Sequence, residues 1–264
     1  MLDPQYLKSR IVLLLSVFML NLGLLNCKGP QSNEVPVTTP IRISEEMSKL
    51  SDADDKSHAL PSPIWLFVGD SLTAGYGVEP ELSFVSRLQE KLRQEDWVEP
   101  RSHKTPILRN AGVSGDTSAG TLRRIDWLLE DRVDRVFLCI GANDGMRGQP
   151  IEALRSNLSE IASKIRERGP TLHLMQMFLP PNYGEDYTKR FAESYQVVAE
   201  SEGLSLFPFL LNGVAGESEY NQADGIHPNE EGHQKVADQL LSHLTYAGLI
   251  VKRSSAKLQD KTGK

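Results

Sequence analysis

A chain of 264 residues, 39% hydrophobic and 24% charged, is long enough to bury one sizeable core. Those proportions exclude a wholly disordered chain, a collagen and a polytopic membrane protein. Lys and Arg total 29 against 35 Asp and Glu, so the net charge of −6 lacks the footprint of a nucleic-acid binder, and no nucleic-acid partner is expected.

Residues 1–27 read as an export signal. Lys8 and Arg10 precede an apolar stretch, 11–25, interrupted by Ser16, Asn21 and Gly23. It is shorter than the roughly 20 apolar residues that cross a bilayer. Leu24-Leu25-Asn26-Cys27 resembles a bacterial lipobox, in which the cysteine left at the new N-terminus is acylated. Lipidation of Cys27 would hold the protein on a membrane without a spanning helix, since each buried methylene contributes roughly 0.8 kcal/mol. The expectation is an extracytoplasmic, membrane-anchored lipoprotein, periplasmic or at the surface. An uncleaved anchor and simple secretion are the alternatives.

Residues 28–61 are rich in Pro, Ser, Thr, Asp, Glu and Lys and cannot bury enough surface to offset chain entropy. They read as a disordered tether with an average reach of roughly 30 to 35 Å. At the far end 251–264 carries Lys252, Arg253, Lys257, Lys261 and Lys264, and is expected to be a frayed basic tail.

Between these segments, 62–250 alternates short apolar runs with amphipathic stretches. Ile64-Trp65-Leu66-Phe67-Val68, Ile107-Leu108, 133–140, 172–178 and 204–207 suit strands covered on both faces. The sets Phe84/Leu88/Leu92, Ile151/Leu154/Leu158/Ile161/Ile165, Phe191/Tyr195/Val198 and Val236/Leu240/Leu244 keep helical spacing. The pattern predicts one α/β domain: a three-layer, doubly wound, flavodoxin-like parallel sheet of about five strands flanked by helices. In such a sheet, chemistry belongs in loops at the carboxyl ends of strands.

Those loops carry the groups an acyl-transfer site needs. The first strand runs into Gly69-Asp70-Ser71-Leu72, which presents a serine at the sheet edge. Neither a phosphate loop nor a dinucleotide glycine pattern fits, and alone such a serine would be an ordinary turn residue. Asp224-Gly225-Ile226-His227-Pro228 adds a base and a carboxylate to orient it, three residues apart. Asn229, Glu230 and Glu231 look like the cap and first turn of the last helix, fixing that loop. Gly115, after the second strand, and Asn143, after the third, are suitable donors to a carbonyl oxygen gaining charge. Ser114 is a rival nucleophile, set aside because it lies several residues past its strand. Asp144 could be a second carboxylate or a turn cap. The other five histidines have no such setting, and no zinc-ligand spacing occurs, so neither metal nor cofactor is expected. Cys27 and Cys139 offer no disulfide framework.

Together Gly-Asp-Ser-Leu, the Gly115 block, Gly-Ala-Asn-Asp at 141–144 and Asp-Gly-Ile-His-Pro resemble the SGNH, or GDSL, hydrolase superfamily. The likeness is to its bacterial acyl-CoA thioesterase I, lysophospholipase and arylesterase group, and it spans nearly all of 62–250. It implies Ser71 as nucleophile, His227 as general base and then acid, and Asp224 as its orienting partner. It also implies an oxyanion hole from the Ser71 and Gly115 backbone N–H groups and the Asn143 side chain. An acyl-binding groove bordered by Met146, Leu179, Pro180 and Tyr183 follows from the same resemblance. Met146, Met177, Phe178 and Leu179 are either its lining or ordinary core.

The expected activity is that of a monomeric serine esterase acting on a small acyl ester, thioester or lysophospholipid through an acyl-enzyme. A carbohydrate O-acetylesterase on the same scaffold and a non-enzymatic lipid-binding lipoprotein are the alternatives.

Overall fold

The structure, a computed structural model, describes residues 60–254. The leader with Cys27, nearly all of the tether and the last ten residues lie outside the described residues.

In chain order the elements are β1 (Ile64–Gly69), α1 (Ser71–Ala74), α2 (Phe84–Gln94), β2 (Trp97–Val98), β3 (Ile107–Gly112), α3 (Ser118–Leu128), β4 (Arg135–Cys139), α4 (Ala142–Met146), α5 (Ile151–Arg168), β5 (Thr171–Met175), α6 (Glu185–Glu202), β6 (Ser205–Phe207), α7 (Glu230–Tyr246) and β7 (Val251–Lys252). Five strands form a parallel sheet in the order β3-β1-β4-β5-β6. This is the doubly wound, flavodoxin-like order. The chain reverses its direction of travel across the sheet between β1 and β4, which opens a crevice at their carboxyl ends.

The central strands form where the sequence is apolar on both faces. In β1 every residue from Trp65 to Gly69 is buried, and Phe67 stacks on its registered partner Phe137 of β4 with ring centroids 4.8 Å apart. Helix α2 packs against α7, while α3 packs against α5 and α5 against α6. The predicted stripes all face inward: Leu88 and Leu92 of α2, Leu154, Leu158, Ile161 and Ile165 of α5, Tyr195 of α6 and Leu240 and Leu244 of α7 are buried. These pairings gather α2 and α7 on one side of the sheet and α3, α5 and α6 on the other, as right-handed crossovers require. β3 departs from the expected pattern. It is the edge strand, with Ile107 and Asn110 exposed.

A second, two-stranded sheet pairs β2 with β7 antiparallel. The basic tail expected from 251 onward is therefore fixed at its start. Lys252 Nζ lies 4.1 Å from the centre of the Trp97 ring, and Arg253 Nε is 2.7 Å from Asp96 Oδ1. Cation–π and ionic contacts hold these residues where composition alone suggested a solvated end.

Candidate active site

The site is assembled at the carboxyl edge of the sheet, where β1 and β4 part. β1 ends at Gly69, and a Cβ there would collide with Thr73 and with the Cys139 carbonyl, so only glycine lets α1 begin so close to β4. Asp70 caps α1, its Oδ1 accepting the Leu72 N–H at 3.1 Å. Ser71 is the first residue of that helix, and its own N–H belongs to the orphan donors of a helix start.

His227 and Asp224 arrive on the loop before α7. Asn229 caps this helix through the Gly232 N–H at 2.9 Å, as the sequence predicts, and the Gln222 N–H donates to the His227 carbonyl at 2.8 Å. The Ser71 Oγ to His227 Nε2 distance is 2.9 Å, and His227 Nδ1 is 2.7 Å from Asp224 Oδ2. With the ring proton on Nδ1, the imidazole donates to Asp224 and accepts from the Ser71 hydroxyl. Asp224 Oδ1 also accepts the Ile226 and His227 N–H groups, at 2.9 and 3.0 Å. Burial works against its charge, but the bonds from the His227 ring and from these two N–H groups outweigh it and hold the carboxyl down at about 2.

Gly115 and Asn143 reach the same edge on the neighbouring loops. Gly115 has φ +78°, a conformation that excludes most side chains, and its carbonyl accepts from Arg147 at 3.0 Å. Its N–H has no hydrogen-bond partner among the described residues. Behind it, Arg124 gathers the loop ends, donating to Asp116 at 2.8 Å, to the Ala111 carbonyl at 2.8 Å and to the Gly69 carbonyl at 3.1 Å. Asn143 sits at the start of α4, with Nδ2 3.4 Å from Asp70 Oδ2.

Ser114, the rival nucleophile, is exposed, and among the described residues no histidine hydrogen-bonds to its hydroxyl. Asp144 is buried and turned away from the relay: it accepts the Ser118 N–H at 2.8 Å and the Ser118 hydroxyl, tying α4 to α3. Its alternative as a working carboxylate falls. Three further participants have no role assigned from the sequence. The Tyr76 ring lies 4.7 Å from the His227 ring, Arg124 joins two strand ends, and Asp70 bridges Leu72 and Asn143. Asp70 alone left a signal, as a cap residue before a buried leucine.

Ser71 opens into an apolar cavity of about 270 Å³. Met146, Met177, Phe178, Leu179 and Pro180 line it, and Met177, 1% exposed, also belongs to the core. Tyr183 does not: the short turn Pro181–Tyr183 leaves Pro181 against the cavity in its place. The opposite wall comes from Phe209, Leu211 and Ala215, beyond β6, which no motif announced. Phe178 and Phe209 meet edge to face, 5.0 Å between centroids.

Hydrolases that attack a carbonyl with a serine share this relay of hydroxyl, imidazole and carboxylate, whatever else they bind. The class of this protein is thereby a serine hydrolase. A family model described as the GDSL-like Lipase/Acylhydrolase family matches residues 67–235. Esterase TesA of Pseudomonas aeruginosa is 41% identical over 62% of this chain and 78% of its own length. An arylesterase of Vibrio mimicus is 38% identical over 68% of this chain and 88% of its own. The thioesterase 1/protease 1/lysophospholipase L1 of Escherichia coli K12 is 33% identical over 68% and 82%. Among solved structures, the psychrotrophic esterase EstA from Pseudoalteromonas sp., inhibited by monoethylphosphonate, superimposes with a TM-score of 0.65 at 34% identity, over 70% of this chain and 98% of its own. The chain belongs to the GDSL-like lipase/acylhydrolase family, and it is an ester hydrolase.

Proposed function

We propose that Ser71, His227 and Asp224 hydrolyse acyl esters and thioesters by double displacement. Ser71 Oγ attacks the carbonyl carbon while its proton passes to His227 Nε2. Asp224 keeps the ring in the productive tautomer and stabilises the imidazolium. The carbonyl oxygen, now negative, takes hydrogen bonds from the Ser71 and Gly115 N–H groups and the Asn143 carboxamide. Collapse breaks the bond to the leaving group, which departs with the proton from Nε2. Water, deprotonated by His227, then cleaves the acyl-enzyme and restores the serine.

The observation that carries this reading is the 2.9 Å approach of Ser71 to His227 at the mouth of an apolar cavity of about 270 Å³. An apolar wall favours an acyl tail over a bare acetyl group, because each buried methylene contributes roughly 0.8 kcal/mol. We therefore assign lysophospholipids and aryl or other fatty esters as the substrate class. The names of the relatives, thioesterase and lysophospholipase among them, support the same range.

We also propose that Cys27 is lipidated and that the enzyme works outside the cytoplasm, on a membrane. An exported enzyme would meet lysophospholipids and not the cytoplasmic acyl-CoA pool. Two measurements test these points. The purified protein assayed on aryl esters from acetate to palmitate, on lysophosphatidylcholine and on acyl-CoA should prefer acyl tails of several carbons to acetate. Turnover confined to acetyl-xylan or acetate esters would contradict the substrate assignment. In a bacterial host, Cys27→Ala should release the protein from the membrane fraction, and retention would contradict the anchor.

A further inference from the structure

Asp70 precedes Ser71 yet takes no part in the relay. It is 1% exposed, and its two oxygens have different partners: Oδ1 accepts the Leu72 N–H at 3.1 Å, and Oδ2 faces Asn143 Nδ2 at 3.4 Å. The Asn143 side chain makes no other hydrogen bond among the described residues. Capping α1 does not call for an aspartate, since serine, threonine or asparagine would serve the same N–H. Burying a carboxyl costs more than burying a neutral cap, so the second oxygen must account for the choice.

A carboxamide can turn over and offer oxygen as readily as nitrogen. In an oxyanion hole the oxygen would repel the charge that the nitrogen should stabilise. A carboxylate only accepts, and so it selects the nitrogen end. Burial pushes the Asp70 carboxyl up to about 6, against the Leu72 N–H and His227, which leaves it ionised and acceptor-only at neutral pH.

We propose that Asp70 is a positioning residue: through Oδ2 it holds the Asn143 carboxamide nitrogen-first, with one N–H engaged and the second turned toward the substrate's carbonyl oxygen. The inference rests on reading Asn143 as an oxyanion donor.

Asp70→Asn tests it. The new side chain can cap Leu72 through its oxygen, but its NH2 then meets the NH2 of Asn143, and the latter must turn. Asp70→Ser keeps the cap and loses the reach, and serves as the second variant. Neither should melt below the parent, since a neutral cap costs less to bury than a carboxyl, and each should lower kcat about 10- to 100-fold, because a misplaced donor loses much of a contribution worth about 100-fold or more. KM should stay within about twofold, because the interaction develops only in the transition state. Combined with Asn143→Ala, which alone should cost about 100-fold in kcat, Asp70→Asn should add less than about threefold. Parental kcat in Asp70→Asn, or the same loss with and without Asn143, would overturn the inference while leaving the oxyanion reading intact. Parental kcat in Asn143→Ala would instead remove that reading, and the inference with it.

Discussion

His227 and Asp224 are joined twice across a single turn, ring to Oδ2 at 2.7 Å and backbone N–H to Oδ1 at 3.0 Å. The carboxylate thus shapes the turn and orients the ring it carries. Asp224→Asn separates the two tasks, because the amide oxygen can still accept the backbone N–H groups while its NH2 faces Nδ1 and forces the other tautomer. We expect kcat on an aryl ester to fall about 10³- to 10⁴-fold with the melting temperature close to the parent's. A fall of less than tenfold would mean that the ring needs no carboxylate.

Asp144 binds both the N–H and the hydroxyl of Ser118, and Asn157 donates to the same hydroxyl at 2.9 Å. All of this is away from the relay. Asp144→Ala strands a buried N–H and is predicted to cost about 2 to 4 kcal/mol of stability. Denaturant melts would show the loss, while kcat in the protein that remains folded should change little.

The edge-to-face pair Phe178 and Phe209 forms part of the cavity wall, and Phe178 is 48% exposed. Phe178→Ala or Phe209→Ala opens that wall. The chain-length profile of kcat/KM on a series of straight-chain aryl esters should shift to longer acyl groups, each added methylene that finds cover contributing about 0.8 kcal/mol. An unchanged profile would place the acyl tail elsewhere.

His173 and His233 are buried, and burial, with help from Arg135 and Arg87 respectively, pushes each imidazole from 6.5 down to about 4. Between these values the unfolded chain binds protons that the folded chain refuses. Their contribution is full above pH 6.5 and lost as pH falls toward 4, of order 1 to 3 kcal/mol each. Asp70, raised from 3.8 to about 6, runs the other way: its contribution is present below 3.8 and disappears as pH rises through 6. Two imidazoles outweigh one carboxyl, so the melting temperature should drop between pH 7 and pH 4.5. His233→Gln, which retains an acceptor for the Phe84 N–H that Nδ1 now binds at 3.3 Å, should flatten the drop. A melting temperature that rises on acidification would contradict this.

What could be read from the sequence was local or strongly periodic. Ser71 stands next to its strand, Asp224 and His227 share a turn, and the helical stripes repeat over several turns. What escaped depends on distant chain. β2 and β7 are two residues each, too short to show a period, and lie about 150 residues apart in the chain, within the usual freedom of loop closure. Phe209, Leu211 and Ala215 form the far cavity wall from an irregular segment after β6, where apolar residues carry no mark of which neighbour they face. The family likeness puts Tyr183 at the groove, but one turn of 3₁₀ helix sets Pro181 there instead. Asp70 was legible as a residue of the Gly-Asp-Ser-Leu stretch, while its partner Asn143 lies 73 positions on.

The proposed reaction begins with one step, attack on the carbonyl by the Ser71 hydroxyl made nucleophilic by His227. The most direct measurement is covalent trapping with a fluorophosphonate, followed by mass spectrometry of the intact protein and of its peptides. A single adduct is expected on the peptide carrying Ser71, absent from Ser71→Ala and greatly slowed in His227→Ala. An adduct on Ser114, or labelling that persists at the parental rate in His227→Ala, would contradict it.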